Sequence, residues 1–452
     1  MSIYLSLIIG ICLLLVQVIK FRFSPFISLL TSSIVIGLLS GLDGEIIINN
    51  IQQGMGSTLG YIAVIVGLGA MFGAILESTG GAKEITSYLL NKFGEKKSQW
   101  ALLTSGFFIA IPVFFDVAFI LLLPVIYSIQ KKSNKSLVYY ALPLLAGLAV
   151  THAFIPPTPG PVAVSQILGA DLGYVMLFGL IVGIPSAILS GVIFTNFITS
   201  KIDFNSKVVF DTEELQVDTT PSIRSVLLII LLPLILIIFR SLLDTGILSI
   251  NNETVSVFIK FIGHPFSALI IANIIAWYFL GIRLGIDKKK LEKIVSKSFA
   301  PAGAITLITG AGGVLKQILI ELNIGELLAQ NIFSSSGLIL VASFLCAVFI
   351  RVLQGSSTVA MITSASLVSP LLVDKINDPI SLSLIVISIA SGASTFSHVN
   401  DSGFWLVNQY LGLSMKKTFL SWTLMTLILS ISGLTFTPVS YTHLTLPTIY
   451  SV

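Results

Sequence analysis

Charge is scarce in this sequence. Asp, Glu, Lys and Arg together make up 10% of the 452 residues, against 55% hydrophobic residues, and the mean hydropathy is +0.99. A soluble domain would have too little charge to cover its surface, so a polytopic helical membrane protein is indicated. The signs nearly balance, with 25 Lys plus Arg against 21 Asp plus Glu, which argues against a nucleic-acid partner. Cysteine is almost absent: Cys12 and Cys346 lie singly in apolar runs, without metal-site spacing or the context of a disulfide framework. There is no HExxH. Neither Gly-rich run, GLGAMFG (67–73) nor ITGAGG (308–313), continues into the GK[ST] of a phosphate-binding loop. No cofactor or metal is therefore expected, ATP-driven pumping is disfavoured, and the glycines read as close helix packing. The opening MSIYLSLIIG lacks the basic n-region and cleavage site of a signal peptide and reads as a retained first span.

Apolar runs of membrane-crossing length are abundant. They fall near 3–19, 23–41, 57–76, 99–130, 137–170, 173–198, 224–240, 264–281, 299–316, 337–372, 380–412 and 417–437. Lys and Arg concentrate on the cytoplasmic side of membranes. Lys20 and Arg22 place the first loop inside, and the acidic LDGEIIINNIQQGMGS (42–57) reads as an outside loop. Lys83, Lys92, Lys96 and Lys97 precede the run 99–130, and Lys131, Lys132 and Lys135 follow it. That run, interrupted at Ile111-Pro112, begins and ends inside. It is either a hairpin entering from the cytoplasm or two full helices, for which 32 residues is short. The run 337–372 is interrupted at Gln354–Thr358 and takes the same part in the second half.

The expected class is an all-α polytopic membrane protein of two inverted repeats, residues 1–198 and 224–437, joined by a cytoplasmic linker at 199–223. Each repeat has five crossings, a re-entrant hairpin and a broken helix, an arrangement typical of secondary transporters. Both termini fall outside. GPVAVSQILG (160–169) and GFWLVNQYLG (403–412) match in register at the equivalent position of the two halves. The Thr-rich segment 438–452 is unlike the rest. It reads either as a native periplasmic tail or as a foreign extension, and is set apart from the fold with His443.

Four interruptions carry the polar residues: PVFFD (112–116), THAFIPPTPG (151–160), QGSST (354–358) and STFSHVNDSG (394–403). Broken backbone inside a bilayer is tolerated only where protein buries it or it lines a cavity. Each new half-helix offers backbone N–H groups at the positive end of its dipole, suited to an anion, and Ser, Thr and Asn at the tips suit a polyol. Together they point to a small, oxygen-rich anion. The candidate substrate-binding residues are Asp116, Thr151, His152, Pro157, Thr158, Gly160, Ser356, Ser357, Thr358, Ser397, His398, Asn400, Asp401 and Ser402. Intramembrane ionisable groups cost about 2.5–3.5 kcal/mol each on insertion scales, so function is the default reading. Asp116, Asp401 and His398 are the proton-coupling candidates: a carboxylate that must be protonated to sit in low dielectric can carry a proton, and imidazole titrates near neutrality. His152 either caps the broken helix or touches substrate. Arg351 either pairs with a carbonyl or acid near the second hairpin or clamps the ligand.

GLGAMFGAILESTGGA, IPVFFDVAFILLLPVI, HAFIPPTPGPVAV and SHVNDSGFW closely resemble the gluconate:proton symporter family of bacteria, within the ion transporter superfamily, over about residues 1–437. The resemblance implies a homodimer in the bacterial inner membrane, with a scaffold and a transport domain moving as an elevator. It implies sugar-acid substrates, gluconate first, with glycerate, fructuronate, idonate or D-serine in relatives. The family's motif positions fall on Asp116, His152, Pro157, Thr158, Gly160, His398, Asn400, Asp401 and Ser402. The competing classes are a passive anion channel, which paired hairpins from opposite faces would obstruct, and a membrane enzyme, for which no nucleophile–base pair is evident.

Overall fold

The computed structural model describes residues 2–131, 133, 135–202, 204, 221–244, 246–323, 336–372, 376, 378–399 and 401–445. Among them every regular element is helical. The first half opens with α1 (Ile3–Ile19), α2 (Pro25–Leu39) and α3 (Gly44–Ser78). Ser24 caps α2 ahead of a proline at the first helical position, and the Asp43 carboxylate accepts from Glu45 N to start α3. The expected outside loop at 42–57 is thus corrected: that stretch is the first part of a 35-residue helix. Hydropathy marks only the part of a helix that lies in lipid, whereas backbone hydrogen bonding continues past it.

An amphipathic α4 (Gly81–Phe93) leads to the first hairpin, α5 (Ser98–Ile109) and α6 (Phe115–Lys131). Next come α7 (Leu137–Phe154) and α8 (Pro159–Leu168), separated by the proline-rich break. The half closes with α9 (Leu172–Ala187), a π turn, and α10 (Phe194–Lys201).

The second half also holds a helical hairpin followed by a broken helix. It contains α11 (Ile223–Asp244), α12 (Glu253–Ile262), α13 (Pro265–Ala276) and the 34-residue α14 (Lys288–Glu321). The second hairpin is α15 (Ser336–Gln354) and α16 (Ser357–Leu372). The second broken pair is α17 (Pro379–Ala393) and α18 (Ser402–Tyr410), followed by α19 (Met415–Thr418), a π turn and α20 (Leu424–Thr445). Three further differences from the expectation appear. The short α12 was not foreseen. Lys288–Lys290, Lys293 and Lys297 lie inside α14 rather than in a loop before it. The backbone of α20 continues through Thr445, into the segment set apart from the fold. The greater part of the 199–223 linker and the connector expected at 323–328 lie outside the described residues. Among the described residues seven helices are long and apolar enough to cross a membrane.

The two longest helices, α3 and α14, pack on each other through glycine. A Cβ on Gly54 would lie 2.7 Å from Gly313 O, and one on Gly313 would lie 2.6 Å from Gly54 O. Small residues let backbones approach where lipid supplies no hydrophobic drive between helices. The GLGAMFG run, further along α3, meets the first hairpin: a Cβ on Gly73 would overlap Pro112 O. Both first halves of the broken helices, α7 and α17, are apolar on every side and buried nearly throughout, as expected of helices enclosed by other helices rather than lipid. They hold the two breaks at the centre.

Candidate functional site

All four interruptions reach one cavity of about 580 Å³, the proline-rich one only through His152 and Ala153 at its start. Its wall takes Phe114–Val117 from the first hairpin, Gly355–Thr358 from the second, and Asp401–Gly403 from the break before α18. The first turns of α6, α16 and α18 therefore border one space, each at the positive end of its helix dipole. Gly355 makes the second tip possible, with φ at 88°, a left-handed conformation that a side chain would strain. His152, Ala149 and Ala153 of α7, Pro301 and Ile305 of α14, Arg351 and Gln354 of α15, Ser394, and Trp422, Thr426 and Leu429 of the last span complete the wall.

The strongest electrostatic feature is an ion pair inside the apolar body. Arg351, 4% exposed, ends α15, where a cation suits the helix dipole. Its Nη2 donates to Asp401 Oδ2 at 2.6 Å and its Nε to Thr395 O at 3.3 Å. Its Nη1 is buried with no partner among the described residues. The Asp401 carboxylate is well supplied. Besides Arg351, Ser397 Oγ donates to Oδ2, and Gly403 N donates to Oδ1 at 3.2 Å, which makes Asp401 the N-cap of α18. Ser397 is in turn fixed by Trp422 Nε1, which donates to its Oγ at 2.6 Å, and by Thr426 Oγ1, which accepts from its N at 3.1 Å.

Two more wall residues leave a buried polar atom unpartnered among the described residues: His152 at Nδ1 and Gln354 at Oε1. Unsatisfied buried polar groups are rare and call for an explanation, a missing ligand among them. Asp116 differs from all of these. It is exposed to the cavity and takes part in none of the ion pairs or hydrogen bonds among the described residues.

The candidates read from sequence fall into groups. Asp116, His152, Ser356, Ser357, Thr358, Asp401 and Ser402 lie on the cavity wall. Pro157 and Thr158 line a small adjoining space that also touches His152 and Phe114. Thr158 Oγ1 is spent on Ile155 O at 2.6 Å, and Thr151 Oγ1 on Phe107 O at 2.9 Å. Gly160 packs on Met361. Ser397 stands behind Asp401. His398 is off the wall: its Nε2 bonds Val352 O at 3.1 Å, and its ring meets Phe396 edge-on. Asn400 lies outside the described residues. The start of α8 is a poor donor array, because Pro159 and Pro161 carry no N–H, leaving Gly160 alone among its first three residues. Gln354 was marked only as the start of the interruption at 354–358, and Trp422 and Thr426 were not singled out from the sequence. The two from the last span sit in an ordinary apolar run with no break to mark them.

The chain is similar to known proteins over most of its length. The family described as GntP family permease matches residues 2–441. The chain is 35% identical over 435 residues to the gluconate permease of Pseudomonas aeruginosa, covering 96% of each chain. It is 36% identical to the gluconate permease of Bacillus subtilis, covering 95% of this chain and 97% of that one. To the Gnt-II system L-idonate transporter of Escherichia coli it is 35% identical, covering 94% and 96%. Among solved structures, the YdaH transporter of Alcanivorax borkumensis shares the fold with a TM-score of 0.63, at 15% identity, covering 92% of this chain and 96% of that one.

Proposed function

The chain belongs to the GntP family of permeases, and we propose that it imports gluconate or a closely related sugar acid together with protons across the bacterial inner membrane. One observation carries this reading: a cavity at the meeting point of three half-helix starts, walled by an incompletely paired guanidinium and by hydroxyl groups. An anion placed there meets Arg351 and the N-terminal ends of α6, α16 and α18. A polyol chain meets Ser356, Ser357, Thr358 and Ser402, and the apolar flank of Phe115, Pro301, Ile305 and Trp422 limits its length and shape. The substrates in the relatives' names, gluconate and L-idonate, are polyhydroxy carboxylates of this chemistry.

The same reading takes Asp116, Asp401 or His398 as the proton carrier. It takes α3 and α14 as part of a scaffold, with the hairpins and broken helices as the moving elevator body of a homodimer whose termini lie outside. Another small hydroxy-carboxylate or D-serine is the competing substrate on the same fold, and a competition panel against labelled gluconate separates them. The test is uptake of labelled gluconate into proteoliposomes. An imposed inward proton gradient should drive accumulation in the absence of sodium. Accumulation that follows sodium and ignores pH would overturn proton coupling.

A further inference from the structure

We infer that the ionisable groups of the cavity divide the work: Arg351 takes the substrate carboxylate on its unpartnered Nη1, Asp401 is the positioning residue that holds the guanidinium, and Asp116 carries the proton. The inference rests on the reading of this cavity as the substrate site.

The three proton-coupling candidates are separated by what surrounds them. His398 is off the wall and engaged with Val352 O. Asp401 accepts from a guanidinium, a hydroxyl and a backbone N–H, so its anion is satisfied and a proton there would release Arg351. Asp116 faces the cavity with neither a cation nor a donor among the described residues. The titratable groups that share the cavity with it are His152 on α7, Arg351 on α15 and Asp401 before α18, and the flanks from α14 and the last span add only Pro301, Ile305, Trp422, Thr426 and Leu429. Arg351 is already claimed by Asp401, and His152 has an unpartnered Nδ1. An ionised Asp116 would then oppose an anion held in the same cavity. Once Asp116 is protonated the opposition is gone, so anion and proton bind cooperatively, which is the linkage a symporter requires. Asp116 also sits in the first turn of α6, where the helix dipole supports its anion. That support lets the proton leave again after the substrate has gone. The O–H bond of the carboxyl group forms on loading and breaks on release, and no bond of the substrate changes.

Arg351 has the geometry of an anchor. Two of its three nitrogens are fixed, by Asp401 and Thr395 O, while Nη1 is buried and unpaired among the described residues in a side chain that belongs to the cavity wall. A guanidinium fixed at one edge retains donors for a second carboxylate.

The test uses purified full-length protein in proteoliposomes with labelled gluconate. D116N should still exchange label for unlabelled substrate, at a rate no longer rising as pH falls, while losing accumulation under an inward proton gradient. D116S, a second neutral variant, guards against a folding defect in the first. R351K should raise KM tenfold or more. D401N should raise KM similarly yet still accumulate substrate at saturation, and D401E should recover most of the KM. Three results would overturn the inference: D116N and D116S accumulating gluconate above equilibrium, D401N exchanging without accumulating, or R351K with an unchanged KM. Wild-type vesicles that exchange no sugar acid would instead defeat the reading of the cavity itself.

Discussion

Ser397 shows how much of the site is held by residues that need not touch substrate. Its hydroxyl donates to Asp401 and accepts from Trp422 Nε1, and its carbonyl accepts from Thr423 Oγ1. Ser397→Ala removes one donor from the carboxylate and orphans a buried indole N–H. An orphaned buried donor costs about 1–3 kcal/mol. A lowered melting temperature in detergent and a weaker apparent affinity for gluconate are expected. Equal melting temperatures of wild type and variant would show that Trp422 finds another acceptor. The sequence marked Ser397 by its place in the second break but not its link to the last span, because that link joins positions 25 apart across a break.

At the scale of elements, both halves use one device to seat the broken helix against its hairpin. A Cβ on Gly147 of α7 would lie 2.3 Å from Leu103 O, and one on Gly106 of α5 would lie 2.3 Å from Leu144 O. In the second half, a Cβ on Gly392 of α17 would lie 2.3 Å from Phe344 O of α15. Backbone meets backbone at these places, so neither side can yield by a rotamer change. Gly147→Val and Gly392→Val should each destabilise by about 1–3 kcal/mol through overpacking, read as a drop in melting temperature. By contrast Gly160→Ala presses on the thioether of Met361, with Sδ at 2.7 Å, and should be nearly neutral because a flexible side chain can move. If Gly160→Ala proved the most damaging of the three, the backbone contacts would not be the limiting ones.

At the scale of the molecule, the last turn of α8 is tied to α14 of the proposed scaffold, and the N-cap of α9 is tied to α11. Lys316 of α14 donates to Ile167 O, and Ser241 of α11 donates to Asp171 Oδ1 at 2.6 Å. An elevator movement of the hairpins and broken helices past the scaffold would have to exchange the first of these contacts. The proposed orientation has a direct check in thiol labelling, after Cys12 and Cys346 are replaced by serine. A cysteine at the exposed Glu45, in the first turn of α3, should react with an impermeant reagent added outside intact cells, and one at Phe21 only after permeabilisation. The reverse pattern would invert the topology.

Hydropathy alone located the spans, and proline and polar clusters alone located the four interruptions, because lipid penalises both charge and unpaired backbone at the place where they occur. These are local penalties, legible along a chain. The full lengths of α3 and α14 were not legible, since a helix continues past the lipid once its hydrogen bonds have begun. Partnership was not legible either. The scarcity of intramembrane charge implied that Arg351 needed a partner, but the choice of Asp401, 50 residues away, and the isolation of Asp116 were decided by how the hairpin and the second break pack together. The first break supplied His152 to the cavity wall, while its prolines removed the donor array that a helix start ordinarily offers. A sequence specifies which groups must be satisfied, and only tertiary packing decides which of them satisfy each other.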